Sequence, residues 1–313
     1  MDIFTVKSPG SLTTVQDLGR FGFLDRGVPP SGALDSFACR VANLLVGNDE
    51  TMAVLEITVM GPVLEATAET DIAMTGAEMG MTINRNLVPS WQTVRVKAGD
   101  VIRMPQAKKG CRAYLAVSGG FDVPIVMGSR STFARAGFGG MKGRALVKGD
   151  TLKRGAGILL KHSRRLPDAF IPAYQGDSLL RAIPGPQDDS FKDSLESFFI
   201  HTYQVSAESD RMGCRLWGPP VEHDAGKPQS IVTEPVVPGN IQIPADGRPI
   251  ILLVEQTSGG YSKIATVVSA DMGKVAQAMP GSSVKFERVS LSTAHLLYRE
   301  EEKRMQIVRE LLR

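Results

Sequence analysis

Thr93-Val94-Arg95-Val96-Lys97-Ala98-Gly99-Asp100-Val101-Ile102-Arg103 is the stretch that decides the fold class. Val94 and Val96 alternate with Arg95 and Lys97, which is the two-residue period of a half-buried strand. Gly99-Asp100 then reads as a tight turn, because glycine accepts the positive φ that such a turn demands. A second strand starts at Val101. The order recurs at Val147-Lys148-Gly149-Asp150-Thr151-Leu152-Lys153. Two unrelated hairpins and a duplicated strand–turn–strand unit both account for the echo. Between 52 and 155 the same texture continues, with short apolar runs at 54–57, 71–74, 81–83, 113–117 and 145–147 broken by turn residues. The chain carries 32 glycines and 19 prolines in 313 residues, spread as turn signals and not as low-complexity tracts. Many short elements follow, and the fold class expected is mainly β with a few helices.

Outward from this region, Leu34, Phe37, Ala38, Val41, Leu44 and Leu45 recur at helical spacing. They predict a helix over 33–46, capped by Ser31 or Gly32 and ended by Gly47. The basic, proline-bearing, aperiodic stretch 160–178 is the expected boundary. It divides the chain into an N-terminal β-rich lobe, 1–165, and a C-terminal lobe, 166–313. In the second lobe the pattern predicts strands at 179–183, 202–206 and 250–254. It also predicts helices at 189–199 and 270–279, and a charged amphipathic helix at 299–312 with Met305, Val308 and Leu312 on its apolar stripe.

Composition removes several function classes. A formal net charge of +3 is too small for a nucleic-acid footprint. No run of 18 apolar residues is present, so no membrane partner is expected. The N-terminus MDIFTVKSPG lacks the charged and apolar regions of a signal peptide. Cys39, Cys111 and Cys214 are widely separated, which suits a reducing cytoplasm. His162, His201, His223 and His295 stand singly, so no metal is expected in this chain. Neither a Walker-type phosphate loop nor a G-x-S-x-G elbow occurs. Met141-Lys142 lacks the Ala-Met-Lys-Met flanks of a biotinylated carrier, so biotinylation is not expected.

What remains is a set of polar, glycine-bearing segments: 8–35, 128–140, 209–213 and 244–263. Arginine in them can grip an anion through two parallel hydrogen bonds. Glycine lets a backbone N–H approach a ligand closely enough to polarise a carbonyl. For single residues the plainer expectation is a local clamp, Asp17 with Arg20 or Asp210 with Arg211. For the set, a shared polar cleft is expected.

SPGSLTTVQDLGRFGFLDRGVPPSGALD at 8–35, GSRSTF at 128–133, GFGG at 137–140, IPGPQ at 183–187, SDRMGCRL at 209–216 and IQIPADGRPIILLVEQTSGGYSKIATV at 241–267 carry a resemblance spread over nearly the whole chain. The sequence resembles the allophanate hydrolase and urea amidolyase subunit 2 family, also called the biotin-dependent carboxyltransferase family. It departs from the family's pattern at Glu255, Ser258 and Ser262, where Asp, Thr and Pro are expected. The resemblance implies a cyclophilin-like β-barrel architecture in two β-rich lobes. It also implies partnership with a homologue of the family's subunit 1 (the 5-oxoprolinase B subunit) and with a homologue of the 5-oxoprolinase A subunit. The activity implied is that of the C subunit of 5-oxoprolinase, an ATP-dependent lactam hydrolase that opens 5-oxo-L-proline to L-glutamate, with ATP used through the complex. Two alternatives stand beside it. One is carboxyl transfer to urea or a similar amide from carboxybiotin on a partner carrier. The other is a non-catalytic antagonist that binds a subunit 1-type kinase inhibitor.

A lactam and a urea share a poorly electrophilic N–C=O group, which gains from a site that polarises the carbonyl oxygen. On this reading Arg20, Arg130, Arg211 and the Gly259-Gly260 backbone bind substrate together with Asp17, Ser31, Ser131 and Asp210. Gln256 and Tyr261 orient the amide, and Lys263 is an acid or base.

Overall fold

A computed structural model describes residues 1–174 and 176–313. They fall into two units. The first comprises Met1–Arg20, Ser31–Tyr174 and Met305–Arg313, and the second Phe21–Pro30 and Gln175–Arg304. The expected division at 165/166 is thereby corrected. Leu166 sits in an apolar core with Phe37, Trp91, Met305, Val308 and Leu312, and Phe170, Ile171 and Tyr174 pack against it. That packing assigns residues up to Tyr174, and the last turns of the terminal helix, to the first unit.

The first unit holds two sheets. One runs in the order Thr151–Lys153, Asp2–Ser8, Val63–Ala66, Val101–Arg103, Thr82–Ile83, Asn86–Leu87. The other runs Leu12–Gln16, Val54–Thr58, Lys109–Val117, Thr70–Glu78, Thr93–Val96. Phe4, Val6, Leu64 and Ile102 of the first meet Leu55, Ile57, Ile72 and Leu115 of the second in one core, so the pair is a sandwich. The opposite face of the five-stranded sheet, with Ala73, Tyr114 and Ala116, is covered by the helix Ser36–Leu45. Burial on both faces explains why Thr70–Glu78 and Lys109–Val117 are almost continuously buried and do not alternate.

The echoed Gly-Asp segments are built alike. Asp100 N–H donates to Lys97 O (3.0 Å) and Lys97 N–H to Asp100 Oδ2 (2.7 Å). Asp150 and Val147 repeat both bonds at 3.2 and 2.9 Å. Each turn then docks on a strand in the same way. Gly99 N–H donates to Ala66 O and Ala66 N–H to Asp100 O, while Gly149 N–H donates to Val6 O and Val6 N–H to Asp150 O. The sequence echo is therefore a repeated structural unit. The strand expected at 145–147 is absent, since that segment forms the approach to the second turn.

The first helix starts later than its periodicity suggests. Leu34 N–H donates to Glu56 Oε2 (2.9 Å) and Asp35 N–H to the Tyr114 hydroxyl (2.8 Å). These bonds hold 31–35 outside the helix, and Asp35 caps it by accepting from Ala38 N–H (3.0 Å).

The second unit is a closed barrel in the order Ser178–Pro184, Ser262–Val267, Asn240–Ile243, Ile250–Leu252, Gly213–Trp217, Thr202–Val205, Ser283–Arg288. Its closing pair, Ser178–Pro184 with Ser283–Arg288, is parallel. The helix Lys192–Ile200 lays Phe198 on Phe286, with ring centroids 4.6 Å apart. Asp271, whose side chain is fully buried, accepts from Arg181 Nη2 (2.6 Å) and Arg181 N–H (2.8 Å) and pairs with Lys274 (3.0 Å).

Burial pushes the Asp271 carboxyl up, but the Arg181 and Lys274 hydrogen bonds outweigh it and hold the group below its ordinary value. A carboxyl lowered in the folded state adds stability above the ordinary value and loses it as pH falls through the folded one. Asp271→Asn is expected to cost about 3 kcal/mol at pH 7 and to flatten the acid limb of a denaturant-midpoint profile. An unchanged acid limb would contradict this assignment.

Candidate functional site

The residues singled out from sequence divide between the units, and each unit draws its own set together. In the first, Asp17 is the hub. Its carboxylate accepts from Gly19 N–H (2.8 Å), the Ser129 hydroxyl (2.6 Å), Arg130 N–H (2.6 Å) and the Ser131 hydroxyl (2.5 Å). The expected Asp17–Arg20 clamp is replaced by this one, because the serine hydroxyls and the Arg130 amide reach the carboxylate first. Arg20, only 1% exposed, donates from Nη2 to Ser131 O and lies 5.0 Å over the Phe138 ring. Gly139 is required here, since a Cβ on it would stand 2.1 Å from Ser131 O and 2.9 Å from Arg20 Nη2. The GSRST and GFGG motifs are thus one packed structure around Asp17 and Arg20.

Ser31 enters this region strained. Its φ is 53°, its residue is 2% exposed, and its hydroxyl makes no hydrogen bond within the protein. Strain and an unpartnered buried hydroxyl at one residue make Ser31 a candidate ligand contact. The segment is fixed from behind by Glu56 and Tyr114, both essentially buried, with the Tyr114 hydroxyl donating to Glu56 Oε2 (2.9 Å). Tyr174 donates to Asp35 Oδ2 (2.8 Å). Burial, then the charges of Glu56, Asp17 and Asp35, push the Cys39 thiol well above its ordinary range, so it is no nucleophile.

In the second unit the IPGPQ turn lies on the strand Ser262–Val267. Gly185 N–H donates to Ile264 O (2.8 Å), and a Cβ on Gly185 would stand 2.2 Å from Lys263 O. Only glycine lets the turn lie this close. The turn brings Gln187 to Lys263, whose N–H donates to Gln187 Oε1 (3.1 Å). Gln187 Nε2 donates to Glu234 Oε1 (2.9 Å), and the Lys263 ammonium is ion-paired to the same oxygen. The Lys263 side chain is 4% exposed and that of Glu234 40%, so the pair has a dry cation and a wet carboxylate. Hydrogen bonds from Lys263, then from Gln187, hold the Glu234 carboxyl below its usual range. Glu234–Pro235 pairs with Ser258–Gly259, which sets Gly259 beside this group.

The other expected residues of this unit are placed differently. Arg211 is ion-paired to Glu255 (2.6 Å) with both side chains 8% exposed. Asp210 turns back on the N–H groups of Met212 (2.8 Å) and Gly213 (3.1 Å). The expected Asp210–Arg211 clamp is corrected accordingly. Glu255, which stands at a departure from the family's pattern, reaches the arginine instead. Gly260 accepts at its carbonyl from Ile231 N–H (2.8 Å). Tyr261 walls a cavity of about 180 Å³ at one end of the barrel with Trp217 and Arg248, whose guanidinium lies 3.7 Å over the indole. Gln256 and Lys263 are not part of that wall. Gln256 is half-buried in the loop between Glu255 and Ser258.

Sequence reasoning gave no role to Glu56, Gln187 or Glu234. Glu56 carried a signal, a carboxylate inside the apolar run 54–57, where an unpaired charge is costly. Gln187 lay inside a quoted motif. Glu234 sits in a polar stretch and is placed by the ladder with Gly259 and by Gln187 and Lys263. Among the described residues no group of three or more His, Cys, Asp or Glu could hold a metal ion, and no helix is long and apolar enough to cross a membrane.

Residues 26–288 match the family model described as carboxyltransferase domain, subdomain A and B. The chain belongs to that family. It is 36% identical to the 5-oxoprolinase C subunit of Haemophilus influenzae, over 100% of this chain and 98% of that protein. It is 38% identical to the 5-oxoprolinase C subunit of Escherichia coli, over 91% of each. The crystal structure of Kluyveromyces lactis urea carboxylase matches with a TM-score of 0.92 and 33% identity, covering 98% of this chain and 29% of that one. The mainly β, barrel-containing architecture is therefore that of a carboxyltransferase domain, and the chain's relatives are enzyme subunits.

Proposed function

We propose that this chain is the C subunit of a 5-oxoprolinase, opening 5-oxo-L-proline to L-glutamate together with A-type and B-type partner subunits. The end-to-end match to two 5-oxoprolinase C subunits carries the reading, because the chain spans only 29% of the length of urea carboxylase.

The Lys263–Glu234–Gln187 group suits the chemistry. A lactam amide is cis, so its carbonyl oxygen and N–H lie on one side of the bond. An ammonium that only donates, beside a carboxylate that only accepts, meets both atoms at once. Lys263 stabilises negative charge on the carbonyl oxygen as the ring opens, and Glu234 holds the N–H. Gln187 fixes both, since its carboxamide bridges the Lys263 backbone and the Glu234 carboxylate. Gly259 stands opposite Glu234 in the strand pair, while Gln256 and Tyr261 are proposed to orient the amide. In the first unit, Ser31 and Arg130 form a separate polar group, on a frame held by Asp17, Ser131 and Arg20. Asp210 and Arg211 act by bracing the loop that ends at Glu255. The sequence holds no Walker-type phosphate loop, so ATP is used through the complex, at a partner's site or at a non-standard site on this chain.

The carboxyltransferase reading is kept because the family model and the urea carboxylase structure favour it. In it, carboxybiotin arrives on a partner carrier and the same donor–acceptor pair holds urea, which also presents C=O and N–H side by side.

Co-purification with homologues of the 5-oxoprolinase A and B subunits, followed by two assays, separates the readings. ATP-dependent loss of 5-oxoproline is expected. Carboxyl transfer to urea without it would replace the proposal by the alternative. Tight partner binding with neither activity would point to an antagonist of the subunit 1 homologue.

A further inference from the structure

We propose that the half-open cavity beside the 137–143 loop of the first unit binds a small organic anion with a flat apolar body. The cavity adjoins the Asp17 frame through Arg130 and Phe138, and its test does not use lactam hydrolysis. The cavity measures about 490 Å³, within the range of small-molecule sites, about 300–1,000 Å³. Val123, Val126, Phe138 and Met141 give it apolar walls, and Lys142 and Lys153 stand among its lining residues. Asp122 is the one carboxylate there, and its Oδ1 lies 3.9 Å from Arg130 Nη2. Two ammonium groups against one carboxylate select an anion, and the apolar walls select its body. A cation would face like charges; Asp150 lies near enough to Lys142 to share its charge, which leaves Lys153 as the ammonium without a carboxylate among the lining residues.

The site is built before any ligand arrives. The Phe138 ring stands edge-on to Phe133 at 5.6 Å and takes Arg20 over its face at 5.0 Å. Gly140 N–H donates to Arg130 O (3.0 Å) and Gly143 N–H to Gly139 O (2.7 Å). Binding to such a fixed wall loses little ordering entropy. Lys142 has a φ of 56°, in the left-handed region that a lysine rarely adopts. A strained residue held on a cavity wall by a rigid loop is the pattern of a ligand contact.

Calorimetric titration of the full chain with 1-naphthaleneacetate and with its neutral amide tests this. The acid is expected to bind at least about tenfold more tightly than the amide. The Lys142→Ala/Lys153→Ala double variant, altered at two exposed side chains, should bring the acid to the amide's affinity. Thr151→Trp, at an exposed strand residue on the cavity wall, should abolish binding of both. Should that variant fail to fold, the lysine pair alone decides. Titration with 1-naphthyl phosphate then separates a phosphate site from a carboxylate site by which anion binds more tightly. No binding by the unaltered chain at millimolar acid would overturn the proposal. So would equal affinity for acid and amide, or undiminished binding in either variant.

Discussion

Lys263→Ala is expected to lower 5-oxoproline turnover by the reconstituted complex about a thousandfold, with the chain still folded. The effect is large because, in the proposed mechanism, the ammonium meets developing charge on the carbonyl oxygen, and its position is nearly dry. The fold survives because the partner left behind, Glu234, is 40% exposed and is taken up by water. Glu234→Gln keeps an acceptor for Lys263 and a carbonyl for the substrate N–H, so a smaller loss of about tenfold is expected. The pH dependence has a definite sign. Hydrogen bonds from Lys263 and Gln187 hold the Glu234 carboxyl below its usual range. The pair therefore stays intact through neutral pH and comes apart only as pH falls through that lowered value. An activity profile whose acid limb begins near neutrality would place the limiting group elsewhere. Full activity in Lys263→Ala would remove the pair from the mechanism.

Asp17→Ala carries the second large effect, this time on stability. Four donors converge on that carboxylate: two backbone N–H groups and two serine hydroxyls. Alanine leaves them buried without an acceptor, and the expected loss is about 3–5 kcal/mol. Urea midpoints measure it directly. A loss below about 1 kcal/mol would mean that water replaces the carboxylate and that Asp17 does not hold the 128–132 segment. Ser31→Ala serves as the contrast, since that hydroxyl makes no hydrogen bond within the protein. Stability should barely change.

Much of the fold could be read from local chemistry. Alternation at 93–96 located a strand, but the Gly-Asp turn carries the chain to the other sheet and closes no hairpin; the echo at 147–153 proved to be the same turn docked on a neighbouring strand. The apolar stripe Met305, Val308, Leu312 correctly marked the buried end of the terminal helix. The helix itself spans Leu291–Leu311, and its first turns were invisible to periodicity because they bury no stripe. The start of the helix Ser36–Leu45 was misplaced for a tertiary reason. Glu56 and Tyr114, distant in sequence, capture the amides of Leu34 and Asp35.

The candidate site was legible as motifs more than as roles. The glycine-bearing segments pack into the two groups described above, yet most of their charged residues brace the loops they stand on. Asp17 holds Ser129 and Ser131, and Arg211 holds Glu255. The residue that completes the Lys263 group, Glu234, comes from a segment with no motif. Such pairing depends on ladder register, which residue spacing alone does not encode.

Glutamate formed from 5-oxoproline and ATP by this chain, mixed with homologues of the 5-oxoprolinase A and B subunits, is the most direct test of the central claim. Glutamate is expected from the complete mixture and none when this chain is omitted. No glutamate from the complete mixture, or the same yield without this chain, would contradict it.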